Sequence, residues 1–175
     1  MALTATKLRN TEEFNKASGG GDFGATLPIP SFRFNKGLPA DFDFGLMASG
    51  VPGTNIRLLG GEIRYALLAG SAVLPAIGLR GSYTRLGGVD QLDYSTRGAD
   101  LSISKGFLNV TPYGGFGRVW VTSTPNGIPS LKEESFSLHK VFGGVNINLG
   151  IINLAFETDK TGNARSYGAK VGWRF

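Results

Sequence analysis

The sequence predicts an all-β fold, a closed antiparallel up-and-down transmembrane β-barrel that forms a single domain over residues 1–175. Three observations indicate it. The 27 glycines are spread through apolar stretches, where curved sheets use glycine at bends and close contacts and helix interiors tolerate it poorly. Apolar and polar residues alternate with period two over segments of about 10–15 residues. The turns between these segments alternate between short and longer, which is typical of membrane barrels.

Nine segments show the strand pattern from residue 22 onward, each bounded by glycine, proline or asparagine. The first of them ends at a predicted turn over Lys36-Gly37-Leu38-Pro39. Phe32 and Phe34 are expected to face Phe42 and Phe44 across this turn. The predicted strands are 22–34, 41–50, 56–68, 76–86, 92–105, 110–123, 136–149, 152–159 and 165–175.

The N-terminal residues leave the strand number open. Residues 2–9 alternate weakly and would supply a tenth strand, which is favoured because bacterial single-chain barrels have even strand numbers. Asn10 and Glu13 form a candidate helix N-cap pair, with Gly19-Gly20-Gly21 ending a short helix. The alternative is eight strands from Asp41, with residues 1–38 as a plug or periplasmic segment.

The final strand illustrates the two faces. Its apolar parity is expected to face lipid and its polar parity the barrel interior. The apolar parity is Tyr167, Ala169, Val171, Trp173 and Phe175, and the polar parity is Ser166, Gly168, Lys170, Gly172 and Arg174. A soluble β-sandwich or lipocalin-like barrel would also alternate. Strand length, the turn pattern and aromatic residues at strand ends favour the membrane barrel.

Composition excludes several classes of protein. Charged residues make up 18%, and the net charge of +5 comes from dispersed Lys and Arg without a basic run, so no nucleic-acid partner is expected. With no cysteine, disulfides and thiolate chemistry are excluded. The stretch 65–79 is too short and too interrupted for a spanning helix. The first residues lack the apolar core of a signal peptide, so an exported chain would be a mature or trimmed form.

The C-terminal residues Tyr167, Val171, Trp173 and Phe175 resemble the terminal aromatic signature of bacterial outer-membrane β-barrel proteins. The stretch 27–120 is also similar to a family of such barrels whose function is unassigned. The resemblance implies the outer membrane of a Gram-negative bacterium, a lipid bilayer or detergent as surroundings, and the outer-membrane assembly machinery as a partner. It implies no activity.

Candidate catalytic and metal-binding groups are few. His139, the sole histidine, shares a strand face with Ser137, and no acidic residue of matching spacing follows. Glu157 is the nearest downstream candidate for the acidic member of a catalytic set. With such a set the chain would be an enzyme at the rim of the barrel that acts on lipid or peptide, and this is the alternative function. The run Gly114-Gly115-Phe116-Gly117 lies within a strand and lacks the strand-to-helix context of a phosphate loop. We therefore expect no enzyme, cofactor or metal.

Charged residues on the polar parity are expected to form a lumen network, because isolated charges in a narrow lumen would be costly. With Asp43 they are Glu62, Arg64, Arg80, Asp100, Arg118, Lys140, Glu157, Lys170 and Arg174. This network predicts a monomeric, porin-like barrel with a largely plugged lumen and a structural, binding or weak solute-passage role. Six basic against four acidic residues would favour anions. A soluble barrel carrying an apolar ligand is a further alternative.

Deleting Phe175 should impair insertion in cells, because the terminal aromatic belongs to the assembly signature. Refolding into detergent or lipid should stay largely intact, since one aromatic contributes only a small part of the buried apolar surface. Quantifying the protein in isolated outer membranes and refolding it in vitro checks both halves. Normal membrane levels of the deletion variant would show that the signature is coincidental.

Overall fold

The computed structural model describes residues 2–7, 26–51, 55–71, 73–88, 92–125 and 133–173. All regular structure in these ranges is β-strand. No helix in them is long and apolar enough to cross a membrane. The strands are β1 (Ala2–Lys7), β2 (Thr26–Leu38), β3 (Phe42–Gly50), β4 (Arg57–Leu68), β5 (Ala76–Gly87), β6 (Leu92–Ser104), β7 (Val110–Pro125), β8 (Glu134–Leu149), β9 (Ile152–Thr161) and β10 (Ala164–Trp173).

Strands β2 to β10 form one curled sheet in which every strand pairs antiparallel with its neighbour in sequence. The short strand β1 pairs with β10 on one side and β2 on the other, which closes the sheet into a barrel. The prediction of an all-β, antiparallel up-and-down fold is confirmed.

One predicted turn is wrong. Strand β2 continues through Lys36 and Gly37, and the chain reverses at residues 39–41. Ala40 and Asp41 have φ angles of 63° and 62°, the left-handed conformation that lets so short a turn join two twisted strands. The longer β2 shifts the pairing with β3.

The shifted pairing also corrects the expected contact between phenylalanines. Phe34 lies opposite Leu46, and Lys36 lies opposite Phe44. Phe42 instead packs against Tyr65 of β4, with ring centroids 4.7 Å apart. The aromatic residues still share the outer surface, but on different rows of the sheet.

The predicted two-faced alternation is confirmed in the exposure of the side chains. In β10, Tyr167, Val171 and Trp173 are exposed on the outer surface. Lys170, on the inner surface, is half-buried. Large apolar side chains elsewhere also point outward: Phe32, Phe34, Leu46, Leu59, Ile63, Leu79, Ile103, Phe116, Val141 and Phe156 are exposed. Among the described residues, the buried apolar ones are Val51, Val121, Phe142 and Ala155.

The two ends of the barrel differ in their connections. At one end, short turns span 39–41, 69–75, 105–109 and 150–151; we call this the turn end. At the other end, the connections span 8–25, 51–56, 88–91, 126–133 and 162–163; we call this the loop end. The candidate N-cap pair Asn10 and Glu13 lies outside the described residues, as do Arg174 and Phe175.

Replacing Val171 by Arg should destabilise the membrane-inserted barrel by about 2–4 kcal/mol if the residue lies near the bilayer midplane. The inward Lys170→Gln change should cost less, because an amide remains in the polar lumen and its ion-pair partner Glu157 keeps the hydrogen bond from the Tyr113 hydroxyl. Unfolding in urea from lipid vesicles measures both, with Val171→Leu as a control for shape. Equal losses for Val171→Arg and Lys170→Gln would contradict the assignment of faces.

Candidate functional site

The lumen is the candidate site, because it collects charged side chains from widely separated parts of the chain. The inner parity of β4 carries Glu62 and Arg64, and β5 carries Arg80. Asp100 of β6 lies opposite Arg80 in the register of the sheet. Lys140 reaches the same region from β8. The strands β4, β5, β6 and β8 therefore contribute charged side chains at a similar height of the barrel.

Asp100 is the centre of the first cluster and is only 4% exposed. Arg80 donates to its Oδ2 through Nε at 2.8 Å and also through a terminal guanidinium nitrogen. Lys140 Nζ lies 3.7 Å from the same oxygen. The buried carboxylate thus holds two cations, as a charge removed from bulk water requires.

The cluster extends from Arg80 to β4. Another guanidinium nitrogen of Arg80 lies 3.6 Å from Glu62 Oε2, and Glu62 also pairs with Arg64. The ion pairs therefore form a chain along the inner face from β4 through β5 and β6 to β8.

Phe142 is an aromatic residue inside this polar lumen, and it is 8% exposed. Its ring centroid lies 5.6 Å from the guanidinium carbon of Arg80 and 5.1 Å from Lys140 Nζ. These are cation–π distances, so the ring partly replaces water around both cations.

A second cluster is built on β7, β9 and β10. The Tyr113 hydroxyl donates to Glu157 Oε2 at 2.8 Å, and Lys170 Nζ lies 3.7 Å from the same oxygen. Towards the turn end, the Asn153 amide donates to the side-chain oxygens of Asn146 and Asn148. Polar groups thus line the lumen along much of its height.

Inward glycines make room for these side chains. A Cβ at Gly117 would clash with Asp100 Oδ1 and with the Ala99 carbonyl. At Gly144 it would lie 2.6 Å from the Tyr113 hydroxyl, whereas outward Gly81 has nothing within 4 Å. Glycine is therefore sterically required mainly on the inner face, where a long side chain crosses a neighbouring strand.

Two cavities lie within the lumen, of about 250 Å³ and about 480 Å³. The smaller includes Thr84, Thr96 and Asp159, and the larger includes Asn146 and Asn153. Both are lined by Arg33, Arg80, Glu157 and Lys170. Charged residues therefore lie where the two cavities meet.

The structure corrects the placement of Arg118, which was predicted inside the lumen. Its side chain is exposed on the outer parity of β7, shared with Phe116 and Trp120. Gly117 and Val119 occupy the inner positions on either side of Arg118. Gly117 leaves the space that the Asp100 side chain fills.

His139 faces outward beside Arg118. Its Nε2 lies 3.4 Å from an Arg118 guanidinium nitrogen, and Ser137 is exposed on the same parity. Glu157, the downstream acidic candidate, points into the lumen. These three candidates for a rim enzyme are not brought together. Within the described ranges, no group of three or more His, Cys, Asp or Glu side chains could hold a metal ion.

The remaining predicted lumen residues Glu62, Arg64, Arg80, Asp100, Lys140, Glu157 and Lys170 all line the two cavities, and Arg174 lies outside the described residues. Four further residues line the cavities and were not predicted from the sequence: Arg33, Tyr113, Phe142 and Asp159. Their positions in the alternation of their strands would have indicated that they face the lumen. The charged residues that line the cavities are five basic, Arg33, Arg64, Arg80, Lys140 and Lys170, and five acidic, Asp43, Glu62, Asp100, Glu157 and Asp159.

The fold and site define a β-barrel with an apolar outer surface and a charged lumen. No family model and no curated protein match the chain. Solved structures similar to it include the KdgM porin, with a TM-score of 0.46, 9% identity and coverage of 100% of this chain and 99% of that one. Another is Ail, the attachment invasion locus protein of Yersinia pestis, with a TM-score of 0.38, 13% identity and coverage of 99% and 97%. Such similarities are too low to transfer any property to this chain.

Replacing Asp100 by Ala should lower the free energy of unfolding by about 3–5 kcal/mol, because it leaves two cations without their shared buried carboxylate. Asp93→Ala is the matched control. Asp93 pairs with Arg85 at 2.9 Å, but both side chains are at least half exposed, so solvent screens the pair. Urea unfolding of the two refolded variants gives the comparison. Losses of equal size would show that the Asp100 cluster is no more stabilising than a surface pair.

Proposed function

We propose that this chain is an integral outer-membrane β-barrel of ten strands, with a lumen closed by ion pairs and a structural or binding role. The observation that carries the proposal is the inverted distribution of its side chains. The outer surface presents exposed Phe, Leu, Ile and Val, while buried Asp100 and its partners occupy the interior. An apolar surface that surrounds a barrel needs apolar surroundings.

Strand lengths and connections support a transmembrane orientation. Strands β2 to β10 contain 9 to 16 residues, and about 9–11 suffice to cross the hydrocarbon layer. The loop end would lie outside the cell and the turn end in the periplasm, as in barrels with short periplasmic turns. Pairing of β1 with both β2 and β10 supports ten strands and a closed sheet without free edges.

The lumen supports a plugged barrel with weak passage of small solutes. Arg80 and Lys140 meet Asp100 near the middle of β5, β6 and β8, and Lys170 meets Glu157 from the neighbouring wall. Long paired side chains in so narrow a barrel leave little room for a continuous water column. A polar solute that moves between the two cavities would have to pass these ion pairs.

The alternatives have less support. A soluble barrel that carries an apolar ligand needs an apolar interior, whereas the described cavities are lined by charged and amide groups. A rim enzyme needs convergent catalytic groups, whereas His139 has a cation as its neighbour. We therefore propose a non-enzymatic monomer whose partners are the lipid bilayer and the assembly machinery.

Purification tests the membrane assignment. The protein should need detergent to remain dispersed, and it should refold into β-rich, lipid-inserted material in vesicles. A chain that stays monomeric and β-rich in buffer without detergent would overturn the proposal.

Planar-bilayer recording should give little or no steady conductance, because the ion pairs obstruct the lumen. Arg80→Ser, Asp100→Ser and Lys140→Ser combined should raise conductance, since three long or charged side chains leave the constriction together. Arg85→Ser with Asp93→Ser, on the outer surface, is the control and should change nothing. Among the described residues, five basic and five acidic side chains line the two cavities, so we expect weak selectivity instead of the anion preference that the sequence predicts. Large, steady, cation-selective channels from the unaltered protein would contradict the plugged lumen.

A further inference from the structure

Basic side chains form an outward row on five consecutive strands near the loop end. They are Arg97 of β6, Arg118 of β7, His139 of β8, Lys160 of β9 and Arg165 of β10, and all five are exposed. We call this row the basic belt.

The register of the sheet makes the belt continuous. Arg118 lies directly opposite His139, and Lys160 lies directly opposite Arg165. Val141 lies opposite Lys160 and two residues after His139, so the row steps from β8 to β9 without a gap. Arg97 completes it opposite Trp120, two residues from Arg118.

The belt borders the apolar surface directly. Towards the turn end, the outward positions become apolar within two to four residues of the belt, at Leu101, Phe116, Val141, Phe156 and Tyr167 on the same strands. Trp120 lies among the belt residues, and its aromatic ring and the Tyr167 ring are half exposed. Aromatic and basic residues together at the margin of an apolar surface are typical of the membrane–water interface.

Acidic groups do not neutralise the belt. Within the described parts of β6 to β10, the acidic residue that faces outward is Asp93. It lies nearer the rim than the belt does, and it pairs with Arg85. None of the belt residues forms an ion pair within the part of the chain that the structure describes. At the turn end, the same strands present Ile103, Leu149, Ile152 and Trp173, without charge. On the strands β6 to β10, the outward basic residues therefore lie near the loop end.

We propose that the basic belt binds the phosphate groups of anionic lipids in the leaflet at the loop end. This inference rests on the proposed function, because it requires the barrel to be inserted. Arg118 Nη2 lies 3.4 Å from His139 Nε2, which leaves the other N–H groups of the exposed guanidinium to bind the oxygens of a phosphate. Their height at the edge of the apolar surface places these donors at the level of lipid headgroups.

The test uses the full chain refolded into phosphatidylcholine vesicles. Spin-labelled phosphatidic acid, which carries a phosphate monoester, is compared with spin-labelled phosphatidylcholine for association with the protein surface. Phosphatidic acid should associate roughly fivefold more strongly, and high salt should reduce the preference, as for cations near an anionic surface. Arg118→Gln with Arg165→Gln should abolish most of it.

Lys36→Gln with Arg57→Gln is the control variant, because it removes two outward charges that lie on β2 and β4, outside the belt. It should keep the preference. A belt variant that behaves like the unaltered protein, or a control that loses as much, would overturn the inference. So would full competition by millimolar inorganic phosphate, which would mark the belt as a site for soluble anions. Failure to insert into any vesicle would instead refute the proposed function.

Discussion

The lumen depends most on one buried carboxylate. Asp100 is held by Arg80 from the neighbouring strand β5 and by Lys140 from β8, the second strand on its other side. A buried charge without partners is strongly unfavourable, so the three residues constrain each other and the strands that carry them. The aromatic ring of Phe142 lies against both cations. The same cluster lies where a solute would have to pass, so one set of contacts serves both stability and closure.

The high glycine content follows from this interior. A lumen filled by arginine, lysine, tyrosine and phenylalanine needs places where the neighbouring strand has no side chain. Gly117 provides one beside Asp100, and Gly144 provides one beside Tyr113. Outward Gly81 meets no such neighbour. Some of the glycines in this chain therefore lie where long inward side chains pass over a neighbouring strand.

Much of the fold could be predicted because each strand has one consistent period. Most strand limits agree within about two residues, the usual uncertainty of strand ends. The β2–β3 turn was misplaced, because Gly37 looked like part of a turn and is a paired strand residue opposite Asp43. The left-handed Ala40 and Asp41 mark the true reversal; Asp is common in this conformation, but Ala rarely adopts it.

Prediction of the site was less complete. Polarity alone placed Arg118 inside, although Phe116 and Trp120 on its own parity indicate the outer surface. Conversely, the apolar character of Phe142 hid an inward residue that packs on cations. Parity along the whole strand would have placed both residues correctly. The pairing of Lys140 with Asp100 could not be read from the sequence, because it joins strands that are not neighbours.

The most direct measurement of the inverted barrel is a single-cysteine scan along β10, which the absence of native cysteine allows. A spin label is placed in turn at each residue from 166 to 173 of the protein in lipid vesicles, and its collisions with oxygen and with a water-soluble nickel complex are compared. Positions 167, 169, 171 and 173 should show high oxygen and low nickel accessibility, and the even positions should not. A profile without this period of two, or one with the parities exchanged, would contradict the lipid-facing outer surface.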